Sequence, residues 1–446
     1  MYDLLLRHPF MSDTGREACQ ATALVRAMCD VELALAAEQQ ALGLLPAGSA
    51  EAIAAQLDEA DFDIAALARE TAKGGNAAIP FVKQARAALA DDLKGHFHRG
   101  ATSQDIVDSA LMLLLKPRLQ RCSQLVWQSL ADGAALMQRH RDTPMVGRTL
   151  MQQALPITFG AKIGQWLWGL HQARQRLDTA IDSGLYLQFG GAVGVHSGQG
   201  EHGVALMTGM ARRLGLSEPW LPWHTDRQPI HALGCALDGV AVAAEKIALD
   251  VALMTQTEVG ELAEPAEAGV GESSSMPHKR NPVGCARIRA AARQIHGALG
   301  VLANAGAQPL ERGLGEWHAE WAPLVDGVLL LEGALETLGH LLGGLEVDEQ
   351  AMARNLAMTG GAIMAEPAAR VLQTILSSDD AKLVAREASE TARRDGVAYA
   401  DALLAHARVA GSAAEASALR QAVRPELYIG SSRQLVERVA ERLGRR

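Results

Sequence analysis

Long Ala- and Leu-rich stretches, with little strand-like alternation between them, constrain this chain most. From Cys19 to Leu42 apolar residues recur at helical spacing, at Leu24, Met28, Val31, Leu35 and Leu42. A second helical segment runs from Glu51 to about Arg69, and Thr71 to Pro80 breaks the pattern as a loop. Thr102 and Ser103 suit a helix N-cap, with Asp105 in the first turn where a carboxylate favours the helix dipole. That helix should run through Leu115, and Pro117 should kink or divide it. Further long helices are expected near Gln120–Arg141, Leu155–Asp182, Glu201–Leu214, His231–Glu258, Val283–Ala305 and Trp321–Leu345. Shorter ones follow at Glu366–Ser377, Ala381–Asp395 and Gln434–Leu443. Aromatic residues are only 4% of the chain and apolar residues 48%, which favours helix on helix over sheets. Long helices hide little apolar surface alone, so they should bundle, with part of the burial coming from self-association. The expected fold class is all-α, in three helical domains: residues 1–104, a central bundle at 105–357, and 358–446.

Net charge is -9, which argues against a general nucleic-acid binder, since phosphate neutralisation needs a basic face. It leaves room for an anionic small molecule, because a local cluster of Arg and Lys outweighs distant charge. Cys19, Cys29, Cys122, Cys235 and Cys285 are odd in number and scattered, with no Cys-x-x-Cys pair. That pattern fits free thiols in a reducing compartment and neither a disulfide framework nor a zinc site. Met1 to Met11 shows no signal peptide, and the apolar run Ile106 to Leu115, interrupted by Asp108, is too short to span a bilayer. A cytoplasmic protein without a membrane or nucleic-acid partner is expected.

Three polar clusters interrupt the helical background. The first is His98-Arg99-Gly100-Ala101-Thr102-Ser103-Gln104-Asp105, whose hydroxyls and amides sit at a helix start, a natural anion site or an ordinary cap. The second, Gly147-Arg148-Thr149-Leu150-Met151-Gln152-Gln153, can donate hydrogen bonds to a carboxylate or join two helices. The third runs from Gly271 to Pro282 and holds Ser273, Ser274, Ser275, Lys279, Arg280 and Asn281. Glycines frame its start, and Pro277 and Pro282 limit helix formation. Such a loop can close over a small anion, exclude water and supply donors and positive charge, or it can be a solvated linker. Arg227 and Arg312 each stand beside polar residues, and arginine suits bidentate carboxylate binding. The Gly-rich Gln188 to Gly194 segment lacks a clear preceding strand, which weakens a dinucleotide-binding reading.

Together these clusters resemble the fumarase/aspartase superfamily. Ser273 to Pro282 is similar to its signature loop, and Thr102–Asp105 and Gly147–Thr149 resemble its other two signature regions, in the same order over nearly the whole chain. Gln153-Ala-Leu-Pro, Pro222-Trp-His-Thr and Glu316-Trp-His-Ala-Glu-Trp most resemble the branch that cyclises carboxylated muconates. The resemblance implies a homotetramer built on a central helical bundle, with active sites shared between subunits and no cofactor or metal. It also implies ring closure of a small polycarboxylate to a γ-lactone. By resemblance Ser274 is the general acid/base, and Lys279 and Asn281 bind the carboxylate that gains charge. Thr102, Ser103, Arg148, Thr149 and Gln153 bind other carboxylates, with Arg227 and Arg312 as further candidates. His98 orients substrate or helps transfer a proton.

The chain departs from the superfamily pattern in places. Leu150 stands where the lyases often carry a catalytic histidine, and leucine transfers no proton. Glu272 occupies a position that is usually glycine. Two alternatives remain: a lyase of the adenylosuccinate or argininosuccinate type releasing fumarate, and a non-catalytic helical oligomer.

Overall fold

The structure is a computed structural model, and it describes residues 5–6, 8–266, 271, 276, 278–410 and 413–444. Helices dominate, and the described strands form two small two-stranded antiparallel sheets. The chain falls into two compact units. One comprises Met1–Trp127, Gln172–Glu245 and Arg287–Thr337; the other comprises Gln128–His171, Lys246–Ala286 and Leu338–Arg446. Every passage of the chain from one unit to the other falls inside a long helix: Ser103–Arg139, Phe159–Ser183, Gln228–Met254, Val283–Ala305 or Glu316–Gly344.

In the first unit, Ile106, Ala110, Leu115, Leu119 and Cys122 recur at three- to five-residue spacing along one long helix, and all are fully buried. Val240, Ala244, Ile288, Ala291, Val328, Leu331 and Leu335 supply buried positions from other helices of that unit. Each buried Val, Leu or Ile among them contributes about 1.5–3 kcal/mol, and each Ala less. In the second unit, residues from Met364 onward carry their own core of Ala368, Leu372, Val384, Ala388, Leu403 and Leu419.

Several local expectations are revised by the structure. Pro117 neither ends nor divides its helix, which runs unbroken from Ser103 to Arg139. The ring is exposed while Leu115 and Leu119 on either side are buried, so packing of the apolar stripe carries the helix past the lost hydrogen bond. The segment Glu51–Arg69 forms two helices, Ser49–Asp58 and Ile64–Gly74, because Asp63 caps the second by accepting from the Ala66 amide at 2.8 Å. Leu155–Asp182 begins as a strand and turns helical only at Phe159. There β1 (Pro144–Thr149) and β2 (Gln152–Thr158) make a hairpin in which Pro156 is tolerated because a two-stranded sheet has only edge strands.

Candidate active site

In the first unit the site is built on the start of the Ser103–Arg139 helix. Asp105, fully buried, is its hub. One carboxylate oxygen accepts from Gln188 Nε2 at 3.0 Å, Gly190 N at 2.9 Å and His224 Nε2 at 3.1 Å. The other accepts from Thr102 N at 3.0 Å and Gly191 N at 2.9 Å. The bond back to Thr102 closes the first turn as a capping box does. Arg312 Nη2 donates to Thr102 Oγ1 at 3.0 Å and to Ala192 O at 3.1 Å. A guanidinium thus sits at the first turn of a long helix, beside Thr102 and Ser103, where the helix dipole and free amides favour an anion.

His98 lies just before this turn with a positive φ of 57°, and its Nδ1 is 2.5 Å from Glu32 Oε1. The Glu32 carboxylate is fully buried. Burial pulls the His98 pKa downward, but the hydrogen bond and charge of Glu32 outweigh it, and the net shift is upward.

Arg227 is placed differently from the other candidates. Its side chain is buried between two buried carboxylates, Asp108 (Nη1–Oδ2 2.8 Å) and Glu320 (Nη2–Oε2 2.7 Å). It also lies over the Trp223 ring at 4.5 Å, and Trp317 Nε1 donates to Asp108 at 2.9 Å. Its donors are spent on the protein, and it acts as the keystone of a buried ion triad.

The second unit carries the remaining candidates. In the β1–β2 hairpin, Ala154 and Leu155 lie opposite the single residue Gly147, a bulge that turns the strands. A Cβ on Gly147 would lie 2.8 Å from Leu155 O, so only glycine fits. Past the bulge, Arg148 reaches Glu261 through two hydrogen bonds, and Asn355 Nδ2 donates to the same carboxylate at 2.7 Å. Thr149 pairs with Gln152 at the end of the strands and is exposed. Gln153 donates weakly to Met358 Sδ at 3.6 Å, and its Oε1 is buried without a partner.

At the tip, Leu150 and Met151 both take positive φ, 49° and 65°, as the type I′ turn requires. Leu150 is 96% exposed. The position carries no proton-transferring group.

Ser274 lies outside the described residues, as do Glu272, Ser273, Ser275 and Pro277. The described ends of that loop are pinned: Gly271 O accepts from Asn281 N at 2.9 Å and from Asn281 Nδ2 at 3.1 Å. Lys279 is exposed, and its ammonium makes no ion pair among the described residues. Arg280 is held by Glu346 at 2.8 and 2.9 Å. Glu264 accepts from Gly284 N at 2.9 Å and Cys285 N at 2.7 Å, which supplies the Val283–Ala305 helix with an acidic cap.

Hydrogen bonds thus join Thr102 to Arg312 and hold His98 on Glu32 in one unit, while Arg148, Thr149, Gln153, Lys279 and Asn281 lie in the other. Sequence reasoning passes over Glu32, Asp108, His224, Glu261 and Glu320. Asp108, which interrupts an apolar run, and Glu32, which follows Val31 in a periodic helix, are the signals of buried acids needing partners. Among the described residues no group of three or more His, Cys, Asp or Glu could hold a metal ion, and no helix is long and apolar enough to cross a membrane.

A model of the lyase family matches residues 8–297. The chain is 38% identical to a 3-carboxy-cis,cis-muconate cycloisomerase of Bradyrhizobium diazoefficiens over 443 residues, covering 98% of each. It is also 38% identical to a nitrosuccinate lyase of Streptomyces davaonensis, over 97% of this chain and 94% of that protein. Its fold is similar to the crystal structure of the 3-carboxy-cis,cis-muconate lactonizing enzyme from Pseudomonas putida, with a TM-score of 0.91, 34% identity and 99% of each chain covered.

Proposed function

The chain belongs to the lyase family of the fumarase/aspartase superfamily, and from that premise we propose that it cyclises 3-carboxy-cis,cis-muconate to 4-carboxymuconolactone. The observation that carries this reading is the near full-length similarity to cycloisomerases of that substrate, in sequence and in fold. Leu150 supports it. A lyase that expels a basic leaving group, such as an amine, must deliver a proton to it, whereas ring closure expels nothing.

In the reaction, one substrate carboxylate oxygen forms a C–O bond to an alkene carbon. The π electrons move onto the carbon next to another carboxylate, giving an enolate-like intermediate. A proton then adds to that carbon. The extra charge calls for cations and donors already in place. Lys279 and Asn281 are proposed to receive it, and Ser274 to donate the proton. Thr102, Ser103 and Arg312 at the helix start, with Thr149 and Gln153, are proposed to hold the other carboxylates. His98, held on Glu32 through Nδ1, would orient one of them. Arg227 is proposed as a structural ion-pair residue, its guanidinium being closed in by Asp108 and Glu320, while Arg148 is held by Glu261 through two of its five donors and keeps others for a substrate carboxylate. No cofactor is needed. We propose a homotetramer with shared sites, in the cytoplasm.

The equal identity to a nitrosuccinate lyase favours a second reading, an elimination from a succinate-type substrate. Both are tested by following the diene absorbance of 3-carboxy-cis,cis-muconate with the wild type and Ser274→Ala, alongside nitrosuccinate and adenylosuccinate. Rapid loss of the diene in the wild type only supports the cycloisomerase and the role of Ser274. Turnover of nitrosuccinate or adenylosuccinate in its place overturns the reading.

A further inference from the structure

We propose that His224 is a positioning residue that sets Arg312 at the mouth of the Ser103–Arg139 helix. The proposal rests on the reading above, in which Arg312 receives a substrate carboxylate.

Arg312 is aimed by two acceptors, Thr102 Oγ1 and Ala192 O. Ala192 lies in the middle of the Gly190–Gly194 turn, where Gly191 and Gly194 have positive φ. The turn is fixed from below by two side chains that are bonded to each other, His224 and Asp105. His224 is buried, and a Cβ placed on Gly194 would lie 3.4 Å from its Nδ1, so the imidazole fills the space under that end of the turn. At the other end the amides of Gly190 and Gly191 bond to Asp105, and Asp105 in turn accepts from His224 Nε2. Both ends of the turn that carries Ala192 O are therefore referenced to His224.

The next residue reaches the other side of the same arginine. Thr225 Oγ1 donates to Leu310 O at 2.9 Å, two residues before Arg312. The backbone of this short segment is itself held, because Gln104 Nε2 donates to His224 O at 2.7 Å and Trp223 N donates to Gln188 Oε1 at 2.8 Å. His224 and Thr225 form a clip that touches the turn supplying the acceptor and the loop supplying the donor.

The imidazole is there for its Nε2–H. A carboxylate only accepts, so Nε2 carries a proton, while Nδ1 is buried without a protein partner. A phenyl ring would fill the same space without that cost. The retained polar ring marks the bond to Asp105 as the feature that matters.

The test uses the full-length protein and four variants: His224→Ala, His224→Gln, Arg312→Ala and the double variant His224→Ala/Arg312→Ala. A glutamine amide can place an N–H where Nε2–H lies. On 3-carboxy-cis,cis-muconate, His224→Ala is expected to lower kcat/KM on the order of 10–100-fold, mainly through KM, and His224→Gln to recover most of it. In the Arg312→Ala background the same His224→Ala change is expected to cost less than about threefold, since its effect passes through the missing guanidinium. Crystal structures of the wild type and of the two single His224 variants supply a readout independent of turnover. The Arg312–Thr102 hydrogen bond should be present in the wild type and the Gln variant and absent in the Ala variant. Equal penalties in both backgrounds, or an Arg312 unmoved in His224→Ala, would overturn the proposal. A wild type inactive on the muconate would sink the functional reading alone, because the crystal structures still decide what positions Arg312.

Discussion

The guanidinium of Arg148 grips the fully buried carboxylate of Glu261 in two parallel bonds, Nη1–Oε2 at 2.9 Å and Nη2–Oε1 at 2.7 Å. The pair ties the β1–β2 hairpin to the segment ahead of the serine loop, and Asn355 locks the same carboxylate. Removing one member of a buried pair strands the other, whose desolvation is then uncompensated. Glu261→Ala leaves the partly exposed Arg148 and the buried Asn355 Nδ2 without their acceptor and should cost on the order of 1–3 kcal/mol. Thermal melting measures this: a clear drop in Tm is expected, and Arg148→Lys should also melt earlier because an ammonium cannot reproduce the fork. An unchanged Tm in Glu261→Ala would show that the pair is not structural.

The hairpin tip is strained by its own residues. Leu150 and Met151 both occupy positive φ, a region where side chains with a Cβ cost about 1–2 kcal/mol each. Asn-Gly is the pair that this turn type prefers. The double substitution Leu150→Asn/Met151→Gly should raise stability by about 1–2 kcal/mol, read as a higher Tm. A lower Tm would mean that the exposed apolar tip is stabilised by contacts that outweigh the strain.

The His98–Glu32 pair predicts a pH dependence of definite sign. The His98 pKa is raised in the fold above its ordinary value of 6.5. Its contribution is therefore full below about 6.5 and is lost as pH rises through the folded pKa. Glu32→Gln removes the charge that raises it. The Tm difference between wild type and Glu32→Gln should be largest near pH 6 and should shrink toward pH 9. A difference that grows with pH would contradict the assignment.

How far these features can be read from the sequence depends on the range of the interaction. The Val283–Ala305 helix is legible to its observed ends because Pro282 precedes it and Gly306 follows it, both local signals. The Ala381–Asp395 reading misses only a first turn, begun by the Ser377 cap. The hairpin reads as a polar joint between two helices, with Leu155 onward taken into the second, because its register depends on a bulge at Gly147 and on Glu261, far along the chain. Arginines pose the same difficulty. Arg227 and Arg312 look alike in the sequence, and only the fold reveals Asp108 and Glu320 closing around the first. The acid partners Glu32 and Glu261 lie in stretches that read as ordinary helix or loop until the distant residue arrives.

Product analysis in deuterated buffer tests the central claim most directly. The enzyme is incubated with 3-carboxy-cis,cis-muconate and the mixture is followed by NMR. Cyclisation predicts one lactone product, with a new C–O bond at one former alkene carbon and one deuteron on the carbon next to a carboxylate. Substrate that persists unchanged, or that breaks into two fragments, would contradict the account.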